Sequence, residues 1–224
     1  MARFPQSPGA RGSLKWIQTA VNVRPASLAK GILPHIKSAA NINWLSPLAD
    51  DEYAEYRDDA FLERIGCMQL GSSLRQFWPS RGPQWDALGQ TEKGDILLVE
   101  AKAHIGELCS PPTQAKGNAR DQIYAALGKT AKACNATPRA AWTDLFYQFG
   151  NRLAHLYFLR QEGIPAWLVL VNFVGDVDMQ GPVCKREWIA AYHVVQHAMG
   201  LGERNPLSKY MIHIYPSIAE FGGN

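Results

Sequence analysis

Continuous runs of apolar, β-favouring residues predict two buried strands in this chain. Residues 96–99 are Ile, Leu, Leu and Val, and residues 166–174 are apolar except for one asparagine. Runs this short and this uniform are typical of strands buried on both faces of a sheet. Residues 85–88 form a shorter aromatic and apolar run. The polar, glycine-containing residues 91–94 predict the turn that joins this run to the strand beginning at residue 96.

Apolar residues at helical spacing predict the helices. The strongest pattern covers residues 140–162, where a broad apolar face is followed by Gly163. Further elements are predicted as helices over residues 51–65, 115–134 and 185–199, a short helix near residues 27–32, and strands over residues 68–78 and 210–215. The order helix, three strands, helices, strand, helix, strand predicts an α/β protein with a mixed central sheet flanked by helices on both sides.

Three charged residues lie at the end of the predicted hairpin. Glu100 and Lys102 are two residues apart on one strand, so their side chains project from the same face of the sheet. The hairpin-like connection brings Asp86, on the preceding strand, alongside them. Each of these charges loses solvation at the end of an apolar sheet. A divalent cation compensates that cost, and Mg²⁺ prefers carboxylate oxygens while keeping several of its waters.

Asp86, followed after about a dozen residues by Glu100-Ala101-Lys102, resembles the PD-(D/E)xK nuclease superfamily. The proline often found directly before the acid is displaced here to Pro83. The resemblance implies a restriction-endonuclease-like core of helix, three strands, helix and strand over roughly residues 50–175. It also implies hydrolysis of phosphodiester bonds in nucleic acid, with DNA the expected substrate. Asp86 and Glu100 would bind Mg²⁺ or Mn²⁺, and Lys102 would orient the attacking water.

A fourth acidic residue is expected on the first core helix, because members of the superfamily often have a metal-binding glutamate there. Glu55 resembles that ligand by its position before Gly66. Glu52, Asp59 and Glu63 are the alternatives on the same predicted helix, and any of these carboxylates is equally suited to a solvated surface.

Substrate-binding candidates follow on two elements. His104 shares the alternation that places Lys102, although a histidine at a strand end also suits a backbone hydrogen bond. Gln148, Asn151 and Arg152 share one side of the long predicted helix with His155. Some exonuclease-like members have a Gln-x-x-x-Tyr pattern on this helix, whereas here Arg152 stands at the tyrosine position. A solvated polar helix face is the alternative interpretation of these residues.

Length and composition bear on the number of domains, the kind of partner and the location of the protein. The 224 residues suit one domain, residues 50–224, with an N-terminal extension over residues 1–49 packed on it. A net charge of +3 is compatible with a polyanionic partner. Four scattered cysteines predict reduced thiols. We find neither an apolar signal core nor a membrane-length apolar stretch, which favours a cytoplasmic protein with no membrane partner.

Other function classes lack a motif in this sequence. There is no glycine-rich phosphate loop and no GxSxG sequence. His193 and His197 have zinc-helix spacing, but Val194 stands where the HExxH motif requires glutamate. The Asp176 and Asp178 pair is expected in a solvated loop. The alternative to a nuclease is therefore a catalytically silent binding module that retains the restriction-endonuclease-like fold.

Overall fold

A five-stranded mixed sheet forms the centre of the protein. The computed structural model describes residues 3–37, 39–137, 139–202 and 204–223. The strands in chain order are β1 (Arg3–Phe4), β2 (Ile42–Ser46), β3 (Glu55–Tyr56), β4 (Ala87–Thr91), β5 (Ile96–Lys102), β6 (Ala166–Asn172) and β7 (Met211–Ile214). The main sheet has the order β2-β4-β5-β6-β7, and β1 pairs with β3 in a separate two-stranded sheet.

Strand β5 is the central strand of the main sheet. The three strands β2, β4 and β5 are antiparallel, whereas β6 is parallel to β5 and β7 is parallel to β6. All seven residues of β5 are buried, as its apolar composition predicts. The predicted strand is confirmed and extends through Glu100 and Lys102, so these charged residues belong to the buried strand.

Helices cover both faces of this sheet. They are α1 (Gly12–Asn22), α2 (Pro25–Ile32), α3 (Asp58–Arg64), α4 (Gly71–Phe77), α5 (Gly117–Ala133), α6 (Tyr147–Gln161) and α7 (Lys185–Met199). Leu97 and Val99 of β5 pack in one apolar cluster with α1 and α2. Ile96 and Leu98 pack in a second cluster with α5, α6 and α7. The α/β class with a mixed sheet is therefore confirmed.

The strand predicted over residues 68–78 is wrong. A 3₁₀ turn, Met68–Leu70, leads into α4. Leu70, Leu74 and Trp78 are four residues apart and all buried, which is the helical period. The loose alternation of apolar and polar residues in this segment therefore did not indicate which residues are buried.

The helix predicted over residues 51–65 is half as long as expected. Glu52 and Tyr53 have left-handed backbone angles, with φ of 52° and 49°. Such residues interrupt a right-handed helix. The chain then forms β3, and α3 begins only at Asp58. Glu55 is consequently a strand residue and not a helical one.

The N-terminal segment contributes directly to the central sheet. Helix α1 was not predicted, and it buries Trp16, Ile17, Ala20 and Val21 against the sheet. The short helix expected near residues 27–32 is confirmed as α2. Strand β2, also before residue 49, is hydrogen-bonded to β4 at the sheet edge. Within the described part of the chain, no helix is long and apolar enough to cross a bilayer.

A buried histidine on α6 makes stability depend on pH. His155 is 2% exposed, and its ring contacts Trp78 edge-on at 5.1 Å between centroids. Burial lowers the pKa of His155 to about 3. An unfolded histidine titrates at about 6.5, so below that pH the unfolded chain binds a proton that the native state excludes. The free energy of unfolding therefore falls as pH decreases from about 6.5 towards 3.

We expect the unfolding free energy to fall by about 2 kcal/mol more in the wild type than in His155→Leu between pH 7 and pH 5, at about 1.4 kcal/mol per pH unit. Urea denaturation at both pH values measures this difference. His193→Leu, at an exposed position on α7, is the control for removal of one imidazole. Equal decreases in the wild type and His155→Leu would contradict the prediction.

Candidate functional site

One open cavity of about 680 Å³ brings the predicted site residues together. It lies where β4 begins and β5 ends, between the segment that contains β3, the loop before β4 and the first turns of α6. Among its lining residues are seven of the eight that the sequence indicated: Glu55, Asp86, Glu100, Lys102, Gln148, Asn151 and Arg152. Residues from distant parts of the chain thus share one solvent-accessible site.

Glu100 and Lys102 contact each other directly. The Lys102 Nζ atom donates to Glu100 Oε1 at 2.5 Å and to Gln148 Oε1 at 2.8 Å. Both residues are at the end of β5. Their side chains are on the same face of the strand as those of Ile96 and Leu98, which pack in the core. They are 3% and 8% exposed, so this charged pair is buried.

Arg152 provides a second cation for Glu100. Its Nε donates to Glu100 Oε2 at 2.5 Å, so each carboxylate oxygen of Glu100 accepts from a different cation. Burial alone opposes ionisation of Glu100, but Arg152 and Lys102 outweigh it and hold the pKa of this carboxyl below its usual value. Glu100 is therefore ionised at neutral pH.

Asp86 lies opposite Glu100. The register of β4 with β5 pairs Ala87 with Val99, so one further step places residue 86 across from residue 100, where the ladder ends. Asp86 Oδ2 accepts the backbone N–H of Ala101 at 2.7 Å, which anchors the carboxylate at this position. Burial and the negative charge of Glu100 raise the pKa of Asp86 well above its usual value. Asp86 is thus a carboxylate whose charge the protein leaves poorly compensated.

Glu55 is the third carboxylate of the cavity. It is 6% exposed, and its Oε2 accepts from Gln84 Nε2 at 2.6 Å and from Gln6 Nε2 at 3.3 Å. Burial, with a further contribution from the charge of Glu100, raises the pKa of Glu55. Four carboxylates line the cavity: Glu55, Asp86 and Glu100 lie with the two cations Lys102 and Arg152, and Glu107 accepts backbone N–H groups just after β5.

The alternatives to Glu55 do not line the cavity. Glu52 forms an ion pair with Arg3 at 2.8 Å, and Asp59 forms one with Arg75 at 2.7 Å. Glu63 is exposed on α3. Among the four acids considered on that segment, the structure brings only Glu55 to the site.

His104 does not line the cavity. It is the N-cap of the 3₁₀ helix Ile105–Leu108, and its backbone carbonyl accepts the N–H of Glu107 at 3.1 Å. The Glu107 carboxylate in turn accepts the N–H of Ala103 at 2.5 Å and of His104 at 3.2 Å. This reciprocal capping matches the strand-end alternative considered for His104.

The remaining acidic and histidine pairs lie elsewhere. Asp176 is buried and accepts the indole N–H of Trp16 at 2.6 Å, which is a contact within the fold. His193 and His197 are exposed on α7. Among the residues that the structure describes, no three Asp, Glu, His or Cys side chains are arranged to hold a metal ion as they stand.

Sequence reasoning missed two glutamines of the site. Gln84 follows Pro83 in the loop before Asp86, and its proximity to that acid was the available signal. Gln6 lies 49 residues before Glu55, and nothing in its local sequence indicates the contact. The β1–β3 pairing, which joins Phe4 to Glu55, brings it there.

Comparison of the chain with protein families, curated proteins and solved structures finds no match. The function of the protein is therefore inferred from the site residues themselves and from their arrangement.

Proposed function

We propose that this protein is a metal-dependent nuclease of the PD-(D/E)xK type that hydrolyses phosphodiester bonds in nucleic acid, with DNA as the expected substrate. The supporting observation is the placement of Asp86 opposite Glu100 at the end of the β4–β5 ladder, with Lys102 on the same face and an open cavity in front of them. The strand order supports the proposal. An antiparallel β2-β4-β5 unit followed by helices and a parallel β6 agrees with a restriction-endonuclease-like core.

The donor set of the site fits Mg²⁺ or Mn²⁺. Its acidic ligands are carboxylates, which hard divalent cations prefer. Burial and the charge of Glu100 raise the pKa values of Asp86 and Glu55, and a bound cation would favour the ionised form of both carboxylates. Asp86 and Glu100 would hold the ion, with Glu55 assisting. When bound, such an ion neutralises phosphate charge and lowers the pKa of a coordinated water.

Lys102 is suited to position the attacking water. Its ammonium has three donors, of which two are directed to Glu100 and Gln148. The third remains for a water or a phosphate oxygen in the cavity. Because Glu100 and Gln148 fix the head group, the lysine is held in place before substrate arrives.

Cleavage assays with supercoiled plasmid, linear DNA and single-stranded RNA, each with Mg²⁺ or Mn²⁺, test the proposal. We expect DNA cleavage that EDTA abolishes and that falls by at least about 10³-fold in Asp86→Asn and Glu100→Gln, since these changes remove the charge that binds the ion. Glu162→Gln, at an exposed position beyond α6, is the control and should retain the wild-type rate. Cleavage that persists in both site variants would refute the proposal, and cleavage of RNA alone would correct the substrate.

One observation favours the alternative, a catalytically silent binding module. Both oxygens of Glu100 already accept hydrogen bonds from cations, so the charge of this carboxylate is compensated without a metal. Calorimetric titration with Mn²⁺ separates the two functions. A nuclease binds the ion and loses it in Asp86→Ala, whereas a silent module shows no binding or binding that this change leaves unaltered.

A further inference from the structure

The guanidinium of Arg152 is committed to contacts inside the protein. Arg152 is 4% exposed. Its Nε donates to Glu100 Oε2 at 2.5 Å, one terminal nitrogen donates to Asn151 Oδ1 at 3.0 Å, and the other donates to the backbone carbonyl of Gln84 at 2.8 Å. The group also lies 4.9 Å from the ring centroid of Trp85. All three nitrogens therefore have an acceptor within the fold.

These contacts connect two carboxylates of the site. Arg152 binds Glu100 directly. It also binds the main chain of Gln84, whose side chain donates to Glu55 at 2.6 Å. Glu55 and Glu100 come from strands of different sheets, and Arg152 and Gln84 form a hydrogen-bonded connection between their carboxylates.

We propose that Arg152 is a positioning residue, which orients Glu100 directly and Glu55 through Gln84 for binding of a divalent cation. This inference rests on the proposed function of the site. It differs from the substrate contact that the sequence suggested for Arg152, because every nitrogen of the guanidinium already donates to an acceptor within the fold. Arg152 instead acts as an outer partner of the ligands, and such partners set ligand orientation.

A purely electrostatic role and a positioning role of Arg152 predict opposite changes in cation affinity when this residue is substituted. If Arg152 acted only as a nearby positive charge, its removal would strengthen cation binding, because one fewer like charge would repel the ion. If Arg152 orients the two carboxylates, its removal weakens binding. The direction of the change in Mn²⁺ affinity therefore identifies the role.

Calorimetric titration of the full chain with MnCl₂, combined with thermal unfolding, tests the inference. Arg152→Gln removes the charge and the three-point contact, and Arg152→Lys keeps the charge alone. We expect a dissociation constant for Mn²⁺ raised about 10- to 100-fold in Arg152→Gln, as for other outer partners of metal ligands, and a smaller increase in Arg152→Lys. Arg160→Gln is the matched control on the same helix, where the guanidinium stacks on Tyr210, and should bind Mn²⁺ as the wild type does.

Cleavage kinetics provide a second readout. The Mg²⁺ concentration for half-maximal rate should rise in Arg152→Gln by a similar factor, whereas the rate at saturating Mg²⁺ should fall less.

Gln84→Leu keeps the backbone carbonyl that Arg152 binds and removes only the amide that donates to Glu55, so a several-fold loss of Mn²⁺ affinity is expected in this variant. An unchanged affinity in Gln84→Leu would overturn the connection to Glu55.

Unchanged or tighter Mn²⁺ binding in folded Arg152→Gln overturns the inference while leaving the proposed function intact. A lower melting temperature alongside that unchanged affinity would show that the role of Arg152 is purely structural. If the wild type itself binds no Mn²⁺, the proposed function fails and the inference fails with it.

Discussion

Replacing Lys102 by methionine is expected to lower the rate of DNA cleavage by about 10³-fold while binding of Mn²⁺ persists. Methionine keeps an unbranched stem in the buried position at the end of β5, but it removes the donors that fix the attacking water. Cation binding should survive because Asp86, Glu100 and Glu55 remain, and because one fewer positive charge repels the ion. Lys102→Met therefore separates the chemical step from metal binding.

Single-turnover cleavage under saturating Mg²⁺ and calorimetric titration with Mn²⁺ measure the two effects on one preparation. Lys132→Met, at an exposed position near the end of α5, is the matched control and should cleave at the wild-type rate. The water-positioning role is excluded if Lys102→Met cleaves within a few-fold of the wild type. A joint loss of cleavage and Mn²⁺ binding would instead show that Lys102 supports the metal ligands.

The acids and the lysine of the site were predictable because their signal is local. An uninterrupted apolar run defines β5, and the two-residue period of a strand fixes Glu100 and Lys102 on one face. A short polar turn defines the hairpin, which sets Asp86 opposite Glu100. Each step uses residues fewer than 20 apart, where periodicity and turn chemistry determine the geometry.

The contacts that complete the site were not predictable because they join distant segments. Arg152 and Glu100 are 52 residues apart, and Gln6 and Glu55 are 49 apart. The sequence placed Arg152 on a polar helix face near the site, but periodicity does not distinguish a solvated arginine from one buried against Trp85. The partner of a buried charge depends on how α6 packs on the sheet.

The same limit explains the error at Glu55. An acidic N-terminus followed by apolar residues at helical spacing is typical of a helix, and the sequence therefore predicted one from residue 51. Pairing of β3 with β1 overrides this preference, since Arg3 and Phe4 come from a segment about 50 residues away. The glutamate reaches the cavity nevertheless, because Gln84 and Gln6 bind its carboxylate there.

Trp85 packs beneath Arg152, and its truncation is expected to be strongly destabilising. The residue is fully buried, its ring lies 5.8 Å from Phe61 and 6.3 Å from His155, and Arg152 lies over it. We expect Trp85→Ala to lower the free energy of unfolding by about 3–5 kcal/mol, because the cavity left by an indole is only partly refilled. For a chain of this length that corresponds to a fall of roughly 10 °C in melting temperature.

Trp85→Phe should cost far less, because the indole N–H of Trp85 finds no acceptor among the described residues and no hydrogen bond is lost. Trp188 is the matched control, since it is equally buried but donates to the Phe173 carbonyl at 2.9 Å. Urea denaturation should show Trp188→Phe to be more destabilising than Trp85→Phe by about 1–2 kcal/mol, the cost of leaving a buried carbonyl unpaired. Equal costs would mean that the Trp85 indole has an acceptor in solution. Packing of the aromatic ring would then not be the only reason for a tryptophan at position 85, beneath Arg152.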